Sequence, residues 1–362
     1  MLFIRLIFCL LELFVCAPIA FDGEFKKWGD GSEGAYLAPP LNGNHASFLE
    51  LHGSSVMLAW FSGGEGQPGC GIAFSTLGSG RSGFTPGKLV SVRPHYSNQN
   101  PVLFSNPPDL HLFHTSQATG PGGGENTSVI LHLISEDDGA TWSPPTLFYS
   151  APGAFLRAGV VKSGGGFLLP AYMSVEGTDY SFMLHRPPGG GGAGSNISAG
   201  WSPFPLNMTG DLIQPTIAQL SSSTLACYFR DEDAVAIYSS SSADQGKTWT
   251  LPSRTPLPNN NAGIAVRMLT SGSLLLVYNN HAGIDLPRSP LVLSVSHDQG
   301  VTWRCARVLQ IHDSNSTWVG EYSYPSIIQD DEDNILVSYT YDRETIVVRR
   351  FTETWLDLGE GC

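Results

Sequence analysis

The sequence is poor in charged residues, and in basic residues above all. Charged side chains make up 14% of the 362 residues, and 19 Lys and Arg stand against 32 Asp and Glu, for a formal net charge of -13. A surface this acidic is a poor match for a phosphate backbone, whose binding requires basic patches. We therefore expect no nucleic-acid partner.

Cysteine is also scarce, with six residues in the chain. Outside the N-terminal apolar run they are Cys70, Cys227, Cys305 and Cys362. No His and Cys spacing resembles a metal site, so we expect neither a metal nor a cofactor. Four cysteines allow three pairings in an oxidising compartment. A bond between Cys305 and Cys362 would hold the C-terminal tail, whereas Cys227, inside an apolar strand, is typical of a buried free thiol.

The N-terminal segment from Met1 to Ala20 reads as a targeting signal. Arg5 precedes the apolar run LIFCLLELFVCAPIA, which contains Glu12 and ends in small residues at Ala17 and Ala20. This pattern is typical of a secretory signal peptide, with an uncleaved anchor as the alternative. We predict a signal peptide at 1–20, a single domain at 21–362, and a secreted or secretory-lumen location. Sequons at Asn126, Asn196, Asn207 and Asn315 favour the same route.

Glycine and proline are abundant, with 41 and 25 residues, which indicates a turn-rich β protein with little helix. A hairpin of two apolar strands around a short polar turn recurs six times, from His45, Pro101, Arg157, Pro215, Ala265 and Pro325. These starts follow one another at nearly equal intervals, which is the signature of a structural repeat. We predict an all-β, six-bladed β-propeller of four-stranded antiparallel blades, whose last blade is completed by a strand near Gly34 to Pro39.

The pattern Ser-x-Asp-x-Gly-x-Thr-Trp, here called the Asp-box, occurs at Ser135–Trp142, Ser242–Trp249 and Ser296–Trp303. Three copies cannot all be one active site. The aspartate can accept backbone N–H groups, the glycine can adopt a positive φ, and the tryptophan can pack between blades. We predict Asp-box turns that stabilise the fold on the face opposite to the chemistry.

The functional face should carry the starts of the first strands and the ends of the second strands. Arg230 and Arg157 would point into the propeller mouth, where a guanidinium can bind a carboxylate bidentately. The alternative for Arg230 is an ion pair with Asp231 or Glu232; Asp231 also counts as a candidate binding residue. Tyr322 and Tyr324, beside Glu321, are candidates for a nucleophile or for a platform on which a sugar stacks.

These motifs resemble the sialidase (neuraminidase) superfamily of Asp-box, or BNR-repeat, propellers, and in particular its "predicted neuraminidase" branch. The resemblance spans essentially the whole mature chain and implies glycosidase chemistry with an arginine cluster. It implies that Arg230 and Arg288 bind the substrate carboxylate and that Tyr322 is the nucleophile. Three features depart from the family. His45 stands where its first arginine is expected, Gln214 stands where its tyrosine-activating glutamate is expected, and its acid/base aspartate in the first blade is missing. Glu65 is the nearest carboxylate that could substitute for this aspartate.

Three functional hypotheses follow, all with an acidic glycan as partner, a monomeric protein and no membrane contact beyond the signal peptide. The favoured one is an exo-glycosidase for a terminal sialic or uronic-type sugar, in which Arg230, Arg288 and Arg157 hold the carboxylate. Tyr322 would then act on the sugar carbon, and Glu65 or His45 would transfer protons. The second is a uronate polysaccharide lyase that uses His45 with Tyr322 or Tyr324. The third is a carbohydrate-binding propeller without activity.

Overall fold

The computed structural model describes residues 19–175, 178–189, 197–284, 287–312 and 320–362. Strands dominate these ranges, which also contain a short 3₁₀ helix at Glu125–Thr127 and one α-helix, α1 (Glu353–Asp357). Within them, no helix combines the length and the apolar character that a membrane span requires. Most of the predicted signal peptide and the sequons at Asn196 and Asn315 lie outside the described residues.

The strands form six antiparallel sheets that follow one another along the chain. Two N-terminal strands come first, β1 (Lys26–Lys27) and β2 (Glu33–Tyr36). Blade 1 contains β3 (Asn44–His52), β4 (Ser55–Ser62), β5 (Gly71–Leu77) and β6 (Lys88–Ser91). Blade 2 contains β7 (Tyr96–Asn106), β8 (Asp109–Ala118), β9 (Val129–Ser135) and β10 (Thr146–Tyr149).

Blade 3 has a divided first strand. Its strands are β11 (Ala154–Leu156), β12 (Val161–Ser163), β13 (Gly166–Val175), β14 (Thr178–Arg186) and β15 (Ser202–Pro205), and β11 and β12 both pair with β13. Blade 4 contains β16 (Leu212–Gln219), β17 (Leu225–Asp231), β18 (Ala236–Ser242) and β19 (Ser253–Pro258). Blade 5 contains β20 (Ala265–Met268), β21 (Leu274–Asn279), β22 (Leu291–Ser296) and β23 (Arg304–Gln310).

Blade 6 joins the two ends of the chain. It contains β24 (Tyr322–Gln329), β25 (Ile335–Tyr341) and β26 (Thr345–Phe351), and β2 pairs antiparallel with β26, with Ala35 opposite Val348. The prediction of a six-bladed propeller is confirmed, as is the prediction that a strand near Gly34 completes its last blade. Apolar faces of adjacent blades pack together: Leu49 and Trp60 of blade 1 share a buried cluster with Leu336 of blade 6.

The C-terminal tail is fixed by a disulfide. Cys305 on β23 is bonded to Cys362, with 5.6 Å between their Cα atoms. Cys70 and Cys227 are buried free thiols. The preferred pairing and the buried state of Cys227 are therefore both confirmed.

The three Asp-boxes are turns built on the same hydrogen bonds. In the last one, Thr302 donates its backbone N–H to Asp298 Oδ1 at 2.8 Å, and Ser296 Oγ accepts the N–H of Gly300 at 2.8 Å. Trp303 lies edge-on to Tyr228 of the preceding blade, with 5.8 Å between ring centroids. The structural role predicted for the Asp-boxes is confirmed, because each aspartate is satisfied within its own turn.

A bulge interrupts the innermost strand in four blades. The pairing shifts between His45 and Phe48, between Gln99 and Val102, between Ile213 and Thr216, and between Ser323 and Ser326. Within each shift one residue has a positive φ: Ala46, Asn100, Gln214 and Tyr324, with φ of 54°, 46°, 51° and 53°. A bulge re-aims side chains relative to the regular alternation of a strand. These bulges set which side chains reach the central channel.

Candidate active site

Two cavities lie along the central channel. The lower cavity, about 510 Å³, is lined by later residues of the inner strands, including Glu50, Lys162 and Arg267. The upper cavity, about 160 Å³, is lined by residues near the starts of the inner strands and the ends of the second strands. Its lining residues are Glu65, Gln99, Asn100, Glu125, Phe155, Tyr172, Ser174, Asp179, Ile213, Gln214, Arg230, Glu232, Arg288, Tyr324 and Arg343. The upper cavity is the candidate site, because five of the nine predicted site residues line it: Glu65, Gln214, Arg230, Arg288 and Tyr324.

Tyr324 lies at the centre of this site. Its hydroxyl accepts hydrogen bonds from Arg230 Nη1 at 2.8 Å and from Gln214 Nε2 at 3.1 Å. Burial by itself would raise the pKa of this phenol, yet the charges of Arg230 and Arg288 outweigh burial and hold the pKa of Tyr324 below its ordinary value. The environment therefore favours the phenolate form.

The predicted placement of Tyr322 in this site is corrected, because Tyr322 does not line the upper cavity whereas Tyr324 does. The Tyr322 ring is 4% exposed and packs in an apolar cluster with Ile327 and Tyr339. Regular alternation would put Tyr322 and Tyr324 on one side of β24. The positive φ of Tyr324 and the bulge that follows Ser323 break this alternation.

Arg230 and Arg288 approach the Tyr324 ring from two blades, with their guanidinium carbons 5.9 and 5.4 Å from its centroid. Arg230 donates Nε to Asn261 Oδ1 at 2.7 Å, in addition to its bond to Tyr324. Arg288 donates Nη1 to Glu321 Oε1 at 3.0 Å. These bonds fix both guanidinium groups, and both line the upper cavity.

Arg157 is part of the support beneath Tyr324 and does not line the upper cavity. Its guanidinium carbon is 5.1 Å from the Tyr324 centroid, and it donates to the backbone carbonyls of Ser47 at 3.2 Å and Pro325 at 2.7 Å. It is 4% exposed and borders the lower cavity. The prediction that Arg157 binds the substrate carboxylate in the upper mouth is therefore corrected, because its donors are directed to the inner strands.

Asp231 likewise has a structural position. Its carboxylate accepts the backbone N–H groups of Asp233, Val235 and Ala236 at 3.1, 2.9 and 3.1 Å. The residue is 2% exposed and is not among the residues that line the cavity. Its assignment as a binding residue is corrected, because this carboxylate closes the turn after β17.

His45 lies behind the tyrosine. Its ring centroid is 4.3 Å from that of Tyr324, and the residue is 1% exposed. Burial, together with the charges of Arg343 and Arg288, holds the pKa of His45 well below its ordinary value, so the ring is neutral. Its Nδ1 is 3.7 Å from Glu321 Oε1, which is too long for a hydrogen bond. The structure therefore places a neutral His45 behind the tyrosine and outside the cavity lining.

Glu65 faces the upper cavity as predicted and is held by Arg343. Arg343 donates Nη1 to Glu65 Oε2 at 2.7 Å and Nε to Glu321 Oε2 at 2.8 Å. Despite burial, the neighbouring Arg343 and Arg288 hold the pKa of Glu321 below its ordinary value. Two carboxylates and two arginines thus form one ion-paired rim, contributed by blades 1, 5 and 6.

Gln214 takes its position from the bulge in β16. Besides Tyr324, its amide nitrogen contacts the Tyr172 hydroxyl at 3.4 Å. Its Oε1 is buried and has no hydrogen-bond partner among the described residues. Burial raises the pKa of Tyr172, so this second phenol stays neutral.

Three carboxyl groups on the opposite side were not predicted as site residues. This acidic wall consists of Glu125, Asp179 and Glu232, all of which line the upper cavity. The sequence suggests Glu232 only as an ion-pair partner of Arg230. Arg230 instead donates side-chain hydrogen bonds to Asn261 and Tyr324. The sequence did contain a signal for two of them. The third strand of each blade starts at the same end as the first, and Asp179 lies at the start of β14 while Glu125 lies just before β9.

No group of three or more His, Cys, Asp or Glu side chains within the described ranges has an arrangement that could hold a metal ion. The upper cavity is lined by arginine, tyrosine, amide and carboxyl side chains. A phenol that accepts a hydrogen bond from one arginine and lies beside a second is suited to an anionic ligand, because a guanidinium group can bind a carboxylate.

Comparison with known proteins supports the assignment of the fold. Residues 54–337 match the BNR repeat-like domain family. The Hadza microbial sialidase Hz136 is similar at a TM-score of 0.72 and 14% identity, over 86% of this chain and 66% of that one. Trypanosoma rangeli sialidase is similar at a TM-score of 0.69 and 12% identity, over 93% of this chain and 58% of that one. A Dyadobacter fermentans protein of unknown function has a TM-score of 0.66 and 15% identity, over 88% and 97%.

Comparison with curated protein sequences found no match. This chain spans 58% to 66% of the two sialidase chains, so their whole-protein activities are not carried over. At identities of 12% to 15%, the structural similarity establishes a shared fold alone. The match over 54–337 covers most of the propeller, and the chain belongs to the BNR repeat-like domain family.

Proposed function

We propose that this protein is an exo-acting glycoside hydrolase that removes a terminal acidic sugar, of the sialic or uronic type, from glycans. The observation that carries the proposal is the position of the Tyr324 hydroxyl, which receives hydrogen bonds from Arg230 and Gln214 in the wall of the upper cavity. A phenolic oxygen stabilised as the anion is a nucleophile.

The substrate carboxylate would bind to Arg230 and Arg288. Both guanidinium groups line the cavity, and each carries more N–H groups than the hydrogen bonds described above use. Arg343 contributes positive charge at the rim but is already paired with two carboxylates. The carboxylate clamp proposed for this chain thus has two arginines, with Arg157 and His45 as support beneath the tyrosine.

The reactive tyrosine would work without a neighbouring base. In this chain the amide of Gln214 donates to the phenolic oxygen, and a donor stabilises the oxygen as an anion. Together with Arg230 and Arg288, it replaces the base by lowering the energy of the phenolate. Attack on the anomeric carbon would thus be assisted by stabilisation of the phenolate, and the same arginines would stabilise the negative charge that returns to the phenolic oxygen when the sugar leaves.

The small cavity favours a single sugar ring. A volume of about 160 Å³ lies below the range of about 300–1,000 Å³ typical of pockets for larger ligands. An exo-acting enzyme that recognises a terminal residue fits this size. We further propose that the protein acts in the secretory pathway or outside the cell, where its disulfide is stable and where the exposed Asn126 and Asn207 are available for glycosylation.

The test is release of acidic monosaccharide from a panel of sialylated and uronate-terminated glycans. We expect Tyr324→Phe and Arg230→Ala to lower kcat/KM by about 100- to 1,000-fold, the range for loss of one transition-state contact. Tyr322→Phe is the matched control and should stay within about threefold of the parent, because its ring lies in the apolar cluster of blade 6.

Two results would contradict this proposal. Tight glycan binding in calorimetry with no release from any substrate would identify a binding propeller. An unsaturated product on uronate polymers would identify a lyase instead. Both outcomes are detectable with the same purified protein.

A further inference from the structure

The acidic wall is organised by backbone hydrogen bonds between two blades. Asp211 donates its backbone N–H to the carbonyl of Asp179 at 3.0 Å, and Glu232 donates its backbone N–H to the carbonyl of Asp211 at 2.9 Å. This chain of bonds joins the start of β14 to the end of β17. The backbone of Glu232, directly after β17, is therefore linked to that of Asp179 in β14 through Asp211.

Glu232 differs from the other carboxyl groups that face the upper cavity. Glu65 is ion-paired with Arg343 at 2.7 Å, and Glu125 accepts a hydrogen bond from Ser174 at 3.2 Å. Across the described residues, no cationic group lies within ion-pair distance of Glu232. Burial, a side-chain hydrogen bond with Asp179 and the charges of Asp179 and Asp211 raise the pKa of Glu232 to about 7, against the opposing charge of Arg230.

A second feature of this cavity is a buried acceptor without a partner. Gln214 lines the same cavity, is 1% exposed, and its Oε1 has no hydrogen-bond partner among the described residues. Leaving a buried acceptor unsatisfied is unfavourable, and a hydroxyl of a bound sugar would satisfy it. The cavity is thus lined by an amide with an unsatisfied oxygen, a carboxyl group and a phenol.

We propose that Glu232, positioned by Asp179, is the proton donor and acceptor of this cavity. The inference rests on the glycosidase function proposed above. In the first step the Tyr324 phenolate forms a bond to the anomeric carbon, the glycosidic C–O bond breaks with its electron pair on oxygen, and that oxygen takes the proton of Glu232. In the second step the Glu232 carboxylate takes a proton from water, whose oxygen displaces Tyr324 as the phenolate.

The pairing of the two groups follows a general pattern of acid–base chemistry. One cavity contains a phenol whose pKa is lowered and a carboxyl whose pKa is raised. The first shift favours the nucleophilic phenolate of Tyr324, and the second favours the protonated acid form of Glu232. Proton transfer is thus proposed for Glu232 in the acidic wall and not for Glu65, which is ion-paired at the rim.

The experiment compares two substrates of one acidic sugar, one with a natural glycan leaving group and one with an activated aryl leaving group. We expect Glu232→Gln to lower kcat/KM on the glycan by at least about 100-fold but on the aryl glycoside by less than about 10-fold, since a good leaving group does not require a proton. Asp233→Asn is the matched control, because its carboxyl is exposed one residue away and outside the cavity lining. It should change neither rate by more than about threefold.

A pH profile separates the positioning role of Asp179 from a structural one. The glycan rate of the parent should fall as the pH rises through about 7, because Glu232 then loses its proton. Asp179→Asn removes the neighbouring charge, so this alkaline limb should move to lower pH, whereas in Glu232→Gln it should disappear. A purely structural role would lower the rate without moving the limb.

The results that would overturn the inference are distinct from failure of the proposed function. If the parent cleaves both substrates and Glu232→Gln affects them equally or not at all, Glu232 is not the proton donor and the glycosidase function stands. If the parent cleaves neither substrate, both the function and this assignment are rejected.

Discussion

The hydroxyl of Tyr324 lies 2.8 Å from Nη1 of Arg230, although 94 residues separate the two in sequence. Tyr324 comes from the bulge in β24 of blade 6, and Arg230 from the end of β17 in blade 4. Only the ring of blades brings them together. This contact ties the protonation of a phenol to an arginine that also faces the proposed ligand.

Loss of Arg230 should therefore change the titration of Tyr324. In Arg230→Met, which removes the charge and retains much of the stem, we expect the pKa of Tyr324 to rise, because the largest factor lowering it is gone. The measurement is an ultraviolet difference titration in which the corresponding Tyr324→Phe curve is subtracted from each protein. Arg304→Met, which removes an exposed arginine near Asp357, is the control. An unchanged titration would show that Arg230 does not stabilise the phenolate.

The glycine of the last Asp-box should be more sensitive to substitution than a glycine in an open turn. Gly300 has φ of 91°, and an added Cβ would overlap the hydroxyl of Tyr228 in the preceding blade. Gly272 has a similar φ of 88° but no heavy atom within 4 Å of an added Cβ. Gly272→Ala should cost about 1 kcal/mol of unfolding free energy from backbone strain alone.

Gly300→Ala adds overpacking at the blade interface, so we expect a total of about 2–4 kcal/mol. Chemical denaturation monitored by tryptophan fluorescence measures both variants. Equal losses would mean that the contact with Tyr228 relaxes freely. The activity per folded molecule should not change in either variant, because both turns lie away from the upper cavity.

Acid should destabilise the fold through His114. Its Nδ1 lies 2.9 Å from the carbonyl of Thr115 and its Nε2 lies 2.8 Å from Ser91 Oγ, in a fully buried site. Burial lowers the pKa of His114 to about 4, below its unfolded value of 6.5. Between these pH values the unfolded chain binds a proton that the folded one does not, so stability rises with pH across this window and is lost as pH falls.

We expect His114→Asn to flatten this dependence. The slope of log K for unfolding against pH near 5 should decrease by about one proton relative to the parent. Denaturation curves at several pH values from 4 to 7 provide the measurement, and the slopes remain comparable even if the variant is less stable at every pH. An unchanged slope would mean that His114 titrates equally in the folded and unfolded chains.

Removal of the disulfide should weaken the tail and leave the site intact. Cys305 and Cys362 are 57 residues apart, and a loop of this length corresponds to about 4 kcal/mol in the chain-entropy treatment, with measured losses of about 2–5 kcal/mol. Cys362→Ser should lower the unfolding free energy by an amount in this range. Protection of α1 amides in hydrogen exchange should fall with it, because Leu356 of α1 packs in the blade 6 cluster. No change on substitution would show that the tail is held by packing alone.

The architecture was predictable because short sequence patterns that repeat along the chain specify it. Regularly spaced apolar hairpins and three Asp-boxes specify blades, and each pattern is satisfied within its own segment. The orientation of Tyr324 was not predictable in the same way. Strand alternation places it beside Tyr322, and only the positive φ within the bulge separates the two rings.

Arg157 and Glu232 illustrate a second limit. Both have the sequence position of a cavity residue, but their partners come from other blades. Arg157 meets the Pro325 carbonyl 168 residues away, which turns it to a supporting role. Asp179, which sets the state of Glu232, comes from the preceding blade. Contacts between residues this far apart depend on how the blades close into a ring, so a local sequence pattern does not predict them.

The pairing of β2 with β26 has a consequence for how the molecule forms. The early strand Glu33–Tyr36 finds its neighbour only when Thr345–Phe351, close to the other end of the chain, has been synthesised. Until then, the nascent chain exposes an unpaired sheet edge at each end of an open arc. The ring of blades is thus completed by the long-range pairing of β2 with β26. A molecule that binds free β-strand edges would bind the open arc before this pairing forms.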